Sequence, residues 1–231
     1  VVRCAAPLAA ELAGATSTGL LPRSSTGRLL LDHADDGAGT SSGAEQDLDG
    51  GVLLVCGSHT NGATAQLAAV SALHGPAVVI DTDRALRSPA EAGAHAARLA
   101  APALSRGFST VTSERVRRDS DNTLAHGERV MSALTSAVQA LAGPGAPRLR
   151  AVVAKGGITS AEVALTGLGA RSAFVLGQVA PGISVWRLQT PDGADLDYVV
   201  IPGNVGDEDA ITGVLTALGV SPASDVAEIT S

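Results

Sequence analysis

From Gly51 onward the chain alternates between two kinds of apolar segment, and this alternation restricts the fold more than any other feature. Short runs rich in β-branched residues have the length and composition of strands: Val52-Leu53-Leu54-Val55-Cys56, Ala77-Val78-Val79-Ile80, residues 108–112 and residues 149–154. Longer stretches with helical spacing stand between them. One covers residues 64–73 and stops at Gly75-Pro76, and a second covers about 90–99. A third covers 122–141 and places Leu124, Val130, Leu134, Val138 and Leu141 on one face. Such alternation predicts an α/β fold, a mostly parallel sheet with helices on both faces. A helical pattern at 161–168 and a strand at 173–176 follow. Strands at 184–188 and 198–201, joined through Pro191-Asp192-Gly193, predict a small antiparallel strand pair near the C-terminus. A last helix is expected at about 208–218.

With 231 residues the chain can bury a sizeable core, and with 2% aromatic residues that core must be built from Ala, Val and Leu. Residues 1–14 read as a short helix, either the remnant of a preceding domain or a leading helix. Residues 15–50 read as a flexible linker rich in Ser, Thr, Gly and Asp, interrupted by Leu29-Leu30-Leu31. Asp35-Asp36 within it reads as a solvated loop. The chain starts at Val1 with no signal-like segment and is expected to begin within a longer protein. A net charge of −7 argues against non-specific nucleic-acid binding. Arg115, Arg117 and Arg118 are flanked by Glu114, Asp119 and Asp121 and read as the start of a solvated helix rather than an RNA patch. No apolar run approaches the length of a membrane span. Cys4 and Cys56 show no metal spacing, Cys56 reads as a buried thiol, and a cytoplasmic location fits.

Ligands of parallel α/β sheets bind at the carboxyl ends of strands. Three glycine-bearing stretches fall there: Gly57-Ser58-His59-Thr60, Lys155-Gly156-Gly157-Ile158-Thr159-Ser160, and Ile201-Pro202-Gly203-Asn204-Val205-Gly206-Asp207. In the second, glycines permit close backbone approach to a phosphate, and the free N–H groups of the following helix add partial positive charge. It is not a P-loop, because the four-residue spacer between the glycines is missing. Lys155 is either a phosphate-neutralising charge or a surface lysine at a strand end. Ser58 is either a nucleotide contact or a helix cap, and Thr60 competes for the cap. His59 is more simply a loop histidine. Gly203, Asn204 and Gly206 form a second phosphate-type loop, while Asp207, Glu208 and Asp209 suit the first turn of a helix better than a metal site. Trp186 can be core or can stack on a base.

Together with Gly177-Gln178-Val179-Ala180-Pro181-Gly182-Ile183-Ser184-Val185-Trp186, these stretches stand in the order and spacing of one family. The chain resembles the C-terminal, nucleotide-binding half of the four-carbon acid sugar kinases, over roughly residues 50–218. The resemblance implies that residues 51–231 bind ATP or ADP, with Mg²⁺ expected alongside. It assigns nucleotide contact to Ser58, Lys155, Gly156, Gly157, Ile158, Thr159, Gly203, Asn204 and Gly206, and crevice-wall shaping to Pro181-Gly182. It places the sugar-acid site in a separate N-terminal domain and is compatible with a homodimer. Many members carry an acidic residue where Ile158 stands, Lys where Ile201 stands and Phe where Val205 stands. These departures bear on the substrate and remove a charge from the Gly203 loop. The implied activity is phosphorylation of a threonate-, erythronate- or oxo-tetronate-type acid, weak or lost in the isolated half. The alternatives are a regulatory nucleotide-binding module and a small-molecule binding domain without nucleotide affinity.

Overall fold

The computed structural model describes residues 19–29, 31, 49–116 and 123–223. The elements run β1 (Gly51–Cys56), α1 (Asn61–His74), β2 (Val78–Ile80), α2 (Thr82–Arg87), α3 (Pro89–Leu104), β3 (Phe108–Ser113), α4 (Leu124–Ala142), β4 (Leu149–Lys155) and α5 (Gly157–Glu162). A wider π-helical turn (Val163–Gly167), β5 (Ala173–Ala180), β6 (Ile183–Gln189), β7 (Asp195–Ile201) and α6 (Ala210–Ala217) complete them. The strands form one seven-stranded sheet in the order β2-β3-β1-β4-β7-β6-β5. The first five in that order are parallel, and β6 is antiparallel to both β7 and β5.

Alternation along the central strands sends side chains to two cores. Leu53, Val55, Val152 and Ala154 pack with Ala92, Ala96 and Ala100 of α3 and Ala133, Leu134 and Val138 of α4. Val52, Leu54, Ala151 and Val153 pack on the other face with Ala63, Leu67 and Val70 of α1 and Ile211, Val214 and Leu215 of α6. The predicted α/β fold is therefore the observed one. A strand buried on both faces needs an unbroken apolar run, and β1 and β4 are such runs.

Four expectations need correction. The antiparallel part is a three-stranded meander, because β5 continues to Ala180 and pairs with β6. Helix α2 was not expected; it has six residues, too few to show a period, and starts where the Asp81 carboxylate accepts from the Arg84 N–H at 2.7 Å. Leu124 was placed on the apolar face of its helix but is 89% exposed, since α4 begins with it beyond the edge of the core. In the segment read as a flexible linker, residues 19–29 lie against the domain. The Leu21 N–H donates to Gln178 O, the Leu29 N–H donates to Ala217 O, and Leu29 and Leu31 are buried. Apolar burial outweighs the polar composition of that stretch. Residues 1–14, Cys4, Asp35-Asp36 and Arg117-Arg118 lie outside the described residues.

Candidate functional site

Adjacent strands β1 and β4 send the chain to opposite faces. β1 leads into α1 on one core, and β4 leads through α5 to Val163 and Leu168 of the other. The two connections part above the sheet and open a crevice at the carboxyl ends of the strands, the usual ligand position in this architecture. The crevice holds about 980 Å³, and Gly57, Ser58, Gly156, Gly157, Thr159 and Gly203 line it.

The three glycine loops meet there. Gly57 is in contact with the β4 loop, since a Cβ at this position would lie 2.5 Å from Thr159 Oγ1. Gly156 has φ +112°, a conformation strained for any side chain, and a Cβ there would crowd Ser58 Cβ and Thr159 Oγ1, each 3.1 Å away. Gly203 approaches Ser58 Oγ in the same way, at 3.3 Å, and its carbonyl accepts from Thr60 Oγ1 at 3.0 Å. Gly157 differs, because a Cβ there would project into open space. Thr60 accepts from the Ala63 N–H and caps α1, which leaves the Ser58 hydroxyl at the crevice. Thr123 caps α4 in the same manner, whereas no side chain caps α5 behind Gly156. The unpaired amides and dipole end of that turn suit an anion.

Lys155 meets neither sequence expectation as stated. Its side chain is fully buried, and Nζ donates to Pro202 O at 2.9 Å and Val205 O at 3.0 Å. Burial pushes the ammonium below the usual lysine range. Lys155 pairs across the sheet with Cys56 on one side and Ile201 on the other, so it joins the β7 loop to β4 from beneath. Gln66 of α1 adds to this anchoring, donating to Val205 O, Gly206 O and Asp207 O.

Two supporting residues escaped the sequence reading. Arg115 is not the start of a helix; it follows β3, and its guanidinium folds back onto β1. It donates to Ser58 O, to Ser113 O at 3.1 Å and to Ser113 Oγ at 2.7 Å. Tyr198 of β7 is buried, and its hydroxyl donates to Ser160 O at 2.7 Å, which fixes α5 on the sheet. Burial pushes this phenol far above its usual range. No local sequence signal marks either residue, because both partners are remote in the chain. His59 lines the crevice with Nε2 3.3 Å from Ser113 Oγ.

Other candidates stand elsewhere. Ile158 is at the crevice, 75% exposed, with Leu124 and Val116 on the same rim. Asn204 and Gly206 are exposed and outside the lining. Pro181-Gly182 turns the β5–β6 hairpin against Val205 rather than forming the crevice wall. Trp186 packs against the α3/α4 core. Asp207, Glu208 and Asp209 precede α6 away from the crevice, and Asp209 makes no side-chain cap bond. Among the described residues no cluster of three or more metal-ligating side chains exists; Glu114, Glu128 and Glu162 are the carboxylates of the crevice. No helix among those residues is long and apolar enough to cross a membrane.

Residues 53–211 match the model of the nucleotide-binding C-terminal domain family. No curated protein matches the chain in sequence. Among solved structures, Haemophilus influenzae protein HI1011, of the DUF1537 family, is similar at 16% identity with a TM-score of 0.61, covering 91% of this chain and 45% of that one. A DUF1537 protein from Bordetella bronchiseptica, a domain-swapped dimer with bound citrate, is similar at 19% identity with a TM-score of 0.58, covering 76% and 43%. The chain thus spans less than half the length of either structure.

Proposed function

The chain belongs to the nucleotide-binding C-terminal domain family, and on that premise we propose that it is the ATP-binding half of a kinase for a four-carbon acid sugar. The convergence of the Gly57, Gly156 and Gly203 loops at the carboxyl ends of three neighbouring strands carries this reading. Phosphoryl transfer is mainly positioning and charge stabilisation, and a backbone cradle supplies both. The amides of Gly157 and Ile158 and the Ser58 hydroxyl receive the phosphate chain. Thr159, buried between the loops, keeps them in contact, and Tyr198 keeps α5 from shifting. If Mg²⁺ accompanied the nucleotide it would neutralise phosphate charge, and Glu128 and Glu162 of the crevice are the donor type that would hold it. The γ-phosphoryl group would pass to a terminal hydroxyl of the acid, giving a 4-phosphate and ADP. On this reading the acceptor pocket belongs to a separate N-terminal domain, as the family resemblance implies. A homodimer is consistent with the reading.

Calorimetric titration of the chain with ADP and ATP, with and without Mg²⁺, tests the nucleotide site. Saturable binding is expected for both. The acceptor is tested on the longer protein, by following ADP release with threonate, erythronate and oxo-tetronate. Absence of nucleotide binding by both forms overturns the proposal.

A further inference from the structure

Two cations stand behind the glycine loops, and among the described residues neither has an acidic partner. Lys155 bonds only the carbonyls of Pro202 and Val205. Arg115 bonds the carbonyls of Ser58 and Ser113, the Ser113 hydroxyl and, at 3.9 Å, Cys56 Sγ. Cys56 lies between them. Burial raises its thiol pKa, and the charges of Arg115 and Lys155 both pull it back down, so both fields reach the residue that precedes Gly57. A desolvated ammonium without a counter-ion is costly, and carbonyl dipoles offset only part of that cost. The protein carries a net charge of −7; toward the opposite end of the sheet Arg148 and Arg187 are paired with Asp49 and Asp197, while Arg150 bonds Gly50 O. The two unneutralised charges therefore stand where an anion would arrive.

We propose that Arg115 and Lys155 form a two-cation base that attracts and orients the phosphate chain of the nucleotide without touching it. Both are positioning residues. Arg115 sets the Ser58 loop from the β3 side, and Lys155 sets the Gly203 loop from β4. Their shared field makes affinity depend on the number of phosphates. A field in a partly desolvated site is screened less than one at the surface, so each charge counts. This inference rests on the nucleotide reading and concerns how that site discriminates.

The experiment compares adenosine, AMP and ADP by calorimetry on the 231-residue chain and on the variants Lys155→Met, Arg115→Gln and Arg115→Lys. The wild type is expected to bind ADP more tightly than AMP, and AMP more tightly than adenosine. Lys155→Met and Arg115→Gln should each shrink the ADP-to-adenosine affinity ratio about tenfold and flatten the salt dependence of ADP binding, with adenosine affinity held. Arg115→Lys should restore most of the ratio. Should Lys155→Met not fold, the two Arg115 variants carry the test. Equal weakening of ADP and adenosine would assign a merely structural role and overturn the inference alone. An unchanged ratio in the variants overturns it too. A wild-type chain that binds none of the three overturns the inference; the same result with the longer protein overturns the nucleotide reading as well.

Discussion

Two crevices of similar size sit at opposite ends of the sheet, about 980 Å³ at the carboxyl ends of the strands and about 1060 Å³ at the amino ends. Volume does not tell them apart. Charge arrangement does. At the amino end Arg148 meets Asp49 at 3.0 Å and Arg187 meets Asp197 at 3.3 Å, and Asp192 and Asp195 add further acid. The C-terminus of α4 also ends there, with the negative end of its dipole. At the carboxyl end the helix N-termini gather; Lys155 is bonded to carbonyls, and Arg115 to carbonyls, the Ser113 hydroxyl and Cys56 Sγ. One end holds two arginine–aspartate pairs beside Arg150, which bonds Gly50 O; the other carries Glu114, Glu128 and Glu162 in its lining and two cations behind the glycine loops.

The largest break in this contrast should come from Gly157→Val. A Cβ at this position meets no heavy atom within 4 Å and projects into the crevice that Gly157 lines. Nucleotide affinity is expected to fall at least about a hundredfold by calorimetry, with thermal stability close to wild type. A variant that still binds would move the phosphate out of the crevice.

Asp197→Ala attacks the other end. It removes one ion-pair partner from an arginine whose side chain is 11% exposed, and unfolding in urea should show a loss of about 2–3 kcal/mol. Nucleotide affinity should stay within about twofold; a larger change would mean that the two ends are coupled.

Ser58→Ala sharpens the cradle itself. The hydroxyl is not the α1 cap, so the loss should appear in ADP affinity, about three- to tenfold, and not in the melting temperature. The reverse pattern would return Ser58 to a structural role.

Arg148→Ala removes an ion pair whose side chains are 71% and 67% exposed, and chemical denaturation should register no more than about 0.5 kcal/mol.

The smallest effect concerns pH. Burial holds His74 below the usual histidine value, at the end of α1 beside Phe108. The unfolded chain takes up a proton near pH 6.5 that the folded chain resists, so stability falls as pH drops from about 6.5 toward the lowered folded value. His74→Gln should flatten that part of the stability profile. A profile as steep as wild type would exclude His74 as its source.

Much of the fold was legible because its segments carry local periods. β1 and β4 are continuous apolar runs, and α4 shows helical spacing in Leu134, Val138 and Leu141. Leu124 follows the same spacing yet lies beyond the core, since period alone does not say where the neighbouring layer stops. Ser58, Gly156, Gly157 and Thr159 were legible as residues that follow strand ends, though Gly157 and Thr159 already belong to α5, whereas Asn204 and Gly206 lie outside the crevice lining. The surface or phosphate-contact readings of Lys155 gave way to burial, because the β7 loop folds over its ammonium.

The sequence by itself determined the α/β class, the parallel core and the position of glycine loops at strand ends. Those features follow from period, composition and backbone permissiveness, which act over a few residues. Only the tertiary structure decided that Arg115 turns back onto Ser58, that Tyr198 holds α5, and that Lys155 is buried beneath Val205. Each of these depends on which strands become neighbours. That order is set by crossovers and packing over the whole sheet, and no short window of sequence carries it.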